Sequence, residues 1–132
     1  YTTSVPVKPG VVDYLEKCKA AGERMAVLTS SVPAHCHAAL DHLGLKPYFE
    51  HIYFAQKLGM DKKEPAIYRK TAELLGVDVA ECTIFDDSIA ACRSARAAGM
   101  TVVGVYDEFF HVSWEEMQTV CHRCIRSFAE LV

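Results

Sequence analysis

Residues 82–105 read CTIFDDSIAACRSARAAGMTVVGV, a stretch that predicts a strand, a helix and a second strand in succession. The apolar run ending at Phe85 shows no polar alternation, as expected of a strand buried on both faces of a parallel sheet. An alanine-rich helix is predicted over 88–98, and Thr101–Val105 is again apolar. Because a helix separates the two strands, we expect them to lie parallel and to be joined by a right-handed crossover.

The same alternation of strands and helices extends upstream. Apolar runs predict two more strands, and helical spacing with proline starts and glycine stops predicts three more helices. The strands are placed at 24–29 and 51–55, and the helices at 9–21, from a serine cap at Ser30 or Ser31 to Gly44, and from Pro65 to Gly76. The predicted fold class is α/β, a doubly wound parallel sheet.

The last stretch, 113–131, is predicted to form a C-terminal helix. Ser113 supplies a cap, Glu115 and Glu116 lie in the first turn, and apolar residues follow at helical spacing. No repeat, low-complexity segment or linker divides the sequence, so 1–132 is interpreted as one domain or as part of one domain.

Charge and composition favour a small ligand over a polymer. The 132 residues carry 14 basic and 17 acidic side chains, with a formal net charge of -3. No basic region is present to attract nucleic acid or a membrane surface, and no apolar run approaches the roughly 20 residues that cross a bilayer. The six cysteines are scattered through predicted strands and helices and are expected to be reduced. We therefore expect a cytoplasmic protein without nucleic-acid or membrane partners.

Polar residues follow the predicted strands at their carboxyl ends, where open parallel sheets bind ligands. They are a hydroxyl pair, three loop lysines and two adjacent carboxylates: Thr29 and Ser30; Lys57, Lys62 and Lys63; Asp86 and Asp87. Carboxylates suit a hard cation such as Mg²⁺, a lysine neutralises phosphoryl oxygens, and a hydroxyl donates hydrogen bonds to them. Together these residues predict a phosphate site.

Each of the three groups also has a purely structural explanation. Hydroxyl side chains after a strand are typical helix caps, and loop lysines are usually solvated charges. The pair Asp86 and Asp87 is harder to explain in this way, because adjacent carboxylates repel unless a cation or a donor compensates them. The joint occurrence of the three groups, in this order, favours a functional site.

Three segments resemble motifs of the haloacid dehalogenase-like (HAD-like) superfamily, in particular its phosphoglucomutase-like and phosphatase branch. They are Val27-Leu28-Thr29-Ser30-Ser31, Asp61-Lys62-Lys63-Glu64-Pro65-Ala66-Ile67-Tyr68, and Thr83-Ile84-Phe85-Asp86-Asp87-Ser88 followed by Ala98-Gly99-Met100. They look like the second, third and fourth motifs of that superfamily. The resemblance implies a Rossmann-like HAD core.

The resemblance also implies roles for individual residues. The implied roles are catalysis by Thr29 and Lys62; phosphate binding by Thr29, Ser30 and Lys62; and Mg²⁺ binding by Asp87 directly and by Asp86 directly or through a water. Lys62 is preferred as the motif lysine from its place before Pro65-Ala66-Ile67-Tyr68, with Lys63 as the neighbouring alternative.

The first motif of the superfamily has no counterpart in the sequence. That motif, Asp-x-Asp-x-Thr, supplies the aspartate that attacks phosphorus and a second that acts as acid and base, and no aspartates of this spacing occur here. The family places it on a central strand between the strands ending at Thr29 and Asp86, before a helical cap. We therefore expect a sequence that continues upstream of Tyr1 and an incomplete sheet that pairs with its upstream segment or a second copy. The alternative is that the neighbouring strands close up or are swapped.

The implied function is Mg²⁺-dependent hydrolysis of a small phosphomonoester by the complete protein, with the chain alone inactive. A sugar-phosphate mutase and a non-catalytic fragment that binds phosphate or a partner chain are the alternatives. A phosphorylated receiver domain is disfavoured because its acidic pair comes first and its lysine last. A dehalogenase is disfavoured because it has less need of two metal-binding carboxylates.

A second motif, Cys121-His122-Arg123-Cys124, has the spacing of some zinc and redox sites. It is predicted to lie inside the C-terminal helix, without a second cysteine pair and without a preceding strand. Neither a zinc site nor a redox site is favoured on these grounds.

Overall fold

The computed structural model of the chain describes residues 10–30, 32–107 and 113–131, along which helices alternate with short parallel strands. The elements are α1 (Val11–Ala20), β1 (Ala26–Thr29), α2 (Pro33–Leu43), β2 (His51–Phe54), α3 (Ala55–Leu58), α4 (Pro65–Leu75), β3 (Thr83–Asp86), α5 (Ile89–Ala98), β4 (Thr101–Val105), α6 (Trp114–Val120) and β5 (Arg123–Ile125). Short 3-10 turns cover Lys46–Tyr48, Val79–Glu81 and Phe128–Leu131. Each helix among these elements is too short or too polar to span a membrane.

The described residues of 10–59 and 127–131 form one structural unit, here called unit 1. Its strands β1 and β2 pair in parallel, with Val27 opposite Ile52, and α2 connects them. Helix α2 begins at a proline, which needs no hydrogen-bond acceptor in the first turn, and ends before Gly44. Gly44 has a φ of 69°, a left-handed conformation that favours glycine.

The described residues of 60–126 form unit 2, which contains a parallel sheet of order β3-β4-β5. Helix α5 connects β3 to β4, and α6 lies between β4 and β5 in the chain. Its core includes side chains with 0% exposure: Ile67, Tyr68, Cys92, Val102 and Ile125. Burial on both faces explains why β4 is apolar without alternation.

The predicted α/β class with an incomplete parallel sheet is confirmed. Within the described residues, β3 lies at one end of its sheet and β1 pairs with β2 alone. These are the strands ending at Asp86 and Thr29, between which the resemblance to the HAD-like superfamily implies an absent strand.

The predicted C-terminal helix is wrong beyond Val120. Helix α6 ends there, and Arg123–Ile125 forms β5, which pairs in parallel with β4. Strand β5 has only three residues, too short to show a periodic pattern in the sequence. Pairing with the backbone of β4 outweighs the local helical spacing.

The predicted serine cap of α2 is also wrong. The residue before the first turn is Val32, in an extended conformation and without a side-chain cap hydrogen bond. Ser31 lies outside the described residues, as does Pro9, the predicted start of the first helix. Helix α3 lies where the sequence predicts a loop. Smaller shifts of one or two residues occur at the ends of the predicted elements, as is usual for terminal turns.

Candidate functional site

Two of the predicted site residues meet in unit 2, at the carboxyl end of β3. Lys62 Nζ lies 2.7 Å from Asp86 Oδ2, and the two side chains are 22% and 8% exposed. Partial burial weakens solvent screening, so the Coulombic attraction between the two charges is stronger than between fully exposed groups. Strand β3 fixes the carboxylate at the sheet edge, and the loop before α4 delivers the lysine.

The second oxygen of the Asp86 carboxylate is also hydrogen-bonded. Asp86 Oδ1 accepts a hydrogen bond from the backbone N–H of Ser88 at 2.9 Å, in the turn that leads into α5. The Sγ atom of Cys92, one turn into α5, lies 3.7 Å from the backbone carbonyl oxygen of Asp86. The carboxylate is therefore held in one orientation, and its remaining lone pairs are available to a cation.

Asp87 follows directly and is half-buried, so unit 2 presents two adjacent carboxylates where β3 ends. Within 10–30, 32–107 and 113–131, no group of three or more His, Cys, Asp or Glu side chains is arranged to hold a metal. Mg²⁺ commonly takes one or two carboxylates and completes its shell with waters and phosphate oxygens. The pair fits Mg²⁺ in that way and not as a closed protein cage.

The loop that carries Lys62 is tied down by two buried hydroxyls. Tyr68 Oη donates to the carbonyl oxygen of Lys62 at 2.7 Å, and Ser94 Oγ donates to that of Lys63 at 2.5 Å. Burial, and then the nearby Asp86 charge, raises the pKa of Tyr68 above its ordinary value, so the phenol stays protonated and remains a donor.

The sequence assigns no role to Tyr68 or Ser94. Tyr68 is the last residue of the segment that resembles the third motif, and Ser94 is one polar residue in an alanine-rich helix. A serine on the buried face of such a helix is the one signal that could have drawn attention to it, because buried hydroxyls need hydrogen-bond partners.

The three lysines that the sequence places in loops differ in what they contact. Lys62 meets Asp86, whereas the Lys63 side chain is exposed and its backbone N–H donates to Asp61 Oδ1 at 2.8 Å. Lys57 lies in α3 of unit 1 and not in a loop as the sequence predicts, and its Nζ lies 5.4 Å from the centre of the Phe54 ring. The geometry of unit 2 therefore favours Lys62 as the lysine of the site.

The predicted hydroxyl pair belongs to unit 1. Thr29 is the last residue of β1, is 7% exposed and lies opposite Phe54 in β2, and Ser30 follows it as an exposed residue. Both stand at the carboxyl end of a parallel strand, as predicted. Their convergence with the residues of unit 2 on one phosphate remains a prediction from the sequence.

The cysteine motif is predicted to lie inside a helix, and this prediction is wrong. Cys121 follows α6, and Cys124 lies in β5. In unit 2 the thiol of Cys121 lies near those of Cys92 and Cys124. Burial, first of all, raises the pKa of Cys124 to about 11 and raises that of Cys92 as well. The thiols of Cys92 and Cys124 are therefore protonated at neutral pH.

Residues 1–99 match the family model of the haloacid dehalogenase-like hydrolases. The chain belongs to this family. The HAD-like hydrolase chain is 34% identical over 108 residues to Protein CbbY of Rhodobacter capsulatus, covering 80% of this chain and 48% of that protein. It is 38% identical over 81 residues to fructose-1-phosphate phosphatase YqaB of Escherichia coli strain K12, covering 61% and 43%.

A solved structure is similar over almost the whole HAD-like chain. The HAD family hydrolase of Deinococcus radiodurans R1, with bound phosphate and sodium, matches with a TM-score of 0.83 and 28% identity. The match covers 98% of this chain and 58% of that one. The chain spans about half the length of the curated relatives it matches, at 48% and 43%. The predicted membership of the superfamily and its phosphatase branch is confirmed.

Proposed function

We propose that the chain is the phosphate- and metal-binding part of a Mg²⁺-dependent phosphatase that acts on a small phosphomonoester. The ion pair between Lys62 Nζ and Asp86 Oδ2, at 2.7 Å, carries the proposal, because it joins residues of two motifs distant in sequence. The phosphatase name of the YqaB relative and the phosphate bound to the Deinococcus radiodurans hydrolase support a phosphate ester as the ligand.

In this proposal the Lys62 ammonium binds phosphoryl oxygens and offsets their negative charge. The lysine is held beside Asp86 and is still 22% exposed, so a phosphoryl group can approach it from solvent. Thr29 and Ser30 orient the same group by donating hydrogen bonds, which restrict the direction of attack on phosphorus.

Asp87 and Asp86 are the residues proposed to hold Mg²⁺. When bound, Mg²⁺ adds positive charge beside the phosphoryl oxygens and so stabilises the charge that develops in the transition state. The fixed orientation of Asp86, given by Lys62 and the Ser88 N–H, limits the reorganisation that metal binding requires.

The attacking carboxylate is proposed to come from outside this sequence, because no Asp-x-Asp pair occurs in it. We propose its own upstream segment, or a second copy of the protein, as the source. By itself the chain is expected to bind phosphate and not to hydrolyse phosphate esters. A cytoplasmic location remains a prediction from the sequence.

The test is a phosphatase assay on the protein extended by the segment that precedes this chain. We expect hydrolysis of p-nitrophenyl phosphate or a sugar phosphate with Mg²⁺, and loss of activity with EDTA. Asp87→Asn and Lys62→Met are each expected to lower kcat/KM about 100-fold, the usual effect of removing one electrostatic contact to a transition state.

The matched controls change charges of the same kind outside the site. Asp41→Asn removes an exposed carboxylate of α2 in unit 1, and Lys63→Met removes the lysine next to Lys62. Both are expected to leave kcat/KM within about twofold, as is usual for exposed positions. Activity that is unaffected by EDTA, or an equal loss with Lys63→Met and Lys62→Met, would contradict the proposal.

The second candidate is a non-catalytic module that binds phosphate or a partner chain. The absence of an Asp-x-Asp pair from the sequence favours it. The same extended protein separates the two candidates. If it binds inorganic phosphate through Lys62 and hydrolyses no phosphate ester with Mg²⁺, the binding module is supported and the phosphatase is not.

A further inference from the structure

Two consecutive carbonyl groups of the Lys62 loop are bonded to side chains of two different helices. Tyr68, from α4, donates to the carbonyl of Lys62 at 2.7 Å, and Ser94, from α5, donates to that of Lys63 at 2.5 Å. The donors are 0% and 8% exposed, whereas carbonyl groups in loops are ordinarily solvated. The Lys62–Lys63 and Lys63–Glu64 peptide groups are thus each anchored to the core of unit 2.

The position of the Lys62 ammonium group depends on these two hydrogen bonds to the backbone, because the lysine side chain itself is flexible. A lysine ammonium stands on a flexible stem with many rotamers, so its position depends strongly on where the backbone is held. In this loop the Lys62 Nζ reaches Asp86 Oδ2 at 2.7 Å. A loop shift of about 1 Å is enough to spoil such geometry for catalysis.

We propose that Tyr68 and Ser94 are positioning residues for Lys62: their hydroxyls fix the loop backbone so that the ammonium stays on Asp86. This rests on the proposed function in one respect, that the lysine held in this way also binds the phosphoryl group.

Helix α5 links the two partners of the ion pair. Ser94 bonds to the lysine loop, and Cys92 on the same helix places its Sγ 3.7 Å from the Asp86 carbonyl oxygen. A displacement of α5 would therefore move both partners, while loss of the Ser94 hydroxyl alone releases only the lysine side.

The first test uses the chain itself and measures hydrogen exchange of single backbone amides by NMR. Two amides of the loop are hydrogen-bonded within it: Lys63 N–H to Asp61 Oδ1 at 2.8 Å, and Glu64 N–H to the Asp61 carbonyl at 2.9 Å. We expect Ser94→Ala and Tyr68→Phe each to speed the exchange of both amides about tenfold, because the loop opens locally more often.

The matched control is Thr71→Val. Thr71 is 6% exposed on α4, and its hydroxyl donates to the Ile67 carbonyl within the same helix at 2.8 Å. This change removes an equally buried hydroxyl without touching the loop, so exchange of the loop amides should stay within about twofold of the unmodified chain. Loop exchange that rises no more in Ser94→Ala and Tyr68→Phe than in Thr71→Val would overturn the proposal.

The second test is a double-mutant cycle in the extended protein. Ser94→Ala should lower kcat/KM about tenfold when Lys62 is present and have almost no further effect in a Lys62→Met background, because its role acts through that lysine. Ser94→Thr, which keeps the hydroxyl, should restore most of the loss. Equal losses in both backgrounds would show a general structural role and overturn the proposal. If the unmodified extended protein has no phosphatase activity, the proposed function fails, and the exchange measurement decides the positioning role by itself.

Discussion

Gly104, in the middle of β4, shows at the scale of one residue how closely unit 2 is packed. A β-carbon built on this glycine would lie 2.8 Å from Met117 Cε, 2.9 Å from Cys121 Sγ and 3.2 Å from Cys124 Sγ. The methionine methyl group can move aside, but a cysteine sulfur is one bond from its own β-carbon and has little freedom. The glycine is therefore required by space and not by backbone conformation.

We expect Gly104→Ala to lower the free energy of unfolding by about 1 to 3 kcal/mol, the usual effect of overpacking a core. Urea denaturation at neutral pH measures the change. Adding Cys121→Ala should recover part of the loss, because it removes one of the two sulfur atoms that the new methyl group would meet. The double variant should therefore lose less free energy of unfolding than the two single variants lose together. Simple additivity would refute the steric explanation.

Single residues of the site also differ in whether their role could be predicted from the sequence. Lys62 and Asp86 carry charges directly after apolar strands or before a recognisable helix start, so their types and places stand out. The hydroxyl of Ser94 bonds to a backbone atom 31 residues away. A backbone acceptor has no sequence identity, so no pattern of residue types could reveal this contact.

At the scale of elements, the pairing of β4 with β5 is extended by hydrogen bonds of His122. The Val102 N–H donates to His122 Nδ1 at 3.0 Å, and the His122 N–H donates to the Val102 carbonyl at 2.9 Å. His122 stands just before β5, so its ring and backbone extend the pairing of the two strands by one residue. The ring must keep Nδ1 unprotonated to accept this bond.

We expect His122→Ala to lower the free energy of unfolding by about 1 kcal/mol or more, since the N–H of fully buried Val102 loses its acceptor. His42→Ala, at an exposed position of α2, is the control and should change stability by less than about 0.5 kcal/mol. Urea titrations of the two variants give the comparison, and equal effects would rule out this role of His122.

Strand β5 is an element that the sequence did not predict, unlike the strands of the 82–105 stretch. The strands of the 82–105 stretch contain adjacent apolar residues, Ile84-Phe85 and Val102-Val103, and lie beside glycine or polar residues, which identifies them in isolation. Strand β5 contains Arg123 and Cys124 and follows a helix without a glycine stop. Its conformation comes from backbone pairing with β4 and from the space at Gly104, and both are tertiary effects.

At the scale of the whole molecule, buried thiols and phenols in both units have raised pKa values. Burial raises the pKa of Cys36 in unit 1, and in unit 2 it raises those of Cys92 and Tyr68 and raises that of Cys124 to about 11. Above about pH 9 the unfolded chain releases protons that the folded chain retains. Because the folded state then binds more protons, stability must fall as the pH rises.

We expect the free energy of unfolding to be constant near neutral pH and to decrease above about pH 9. A thiol such as Cys92, ionised when unfolded and protonated when folded, contributes about 1.4 kcal/mol per pH unit. Urea titrations between about pH 8 and about pH 10 measure the slope, and Cys92→Ala should make it shallower. An unchanged slope in that variant would exclude Cys92 as a source.

The single tryptophan of the chain lies in unit 2, and its neighbours make it sensitive to the folded state of that unit. The Trp114 ring stands edge-on to Tyr106 at 5.2 Å, with the Arg126 guanidinium 5.3 Å from its centre. Fluorescence excited selectively at the indole thus reports on unit 2, whereas circular dichroism sums over helices of both units. If the fluorescence and circular dichroism transitions have different urea midpoints, the two units unfold in succession. If the two midpoints coincide, the chain unfolds in one cooperative transition.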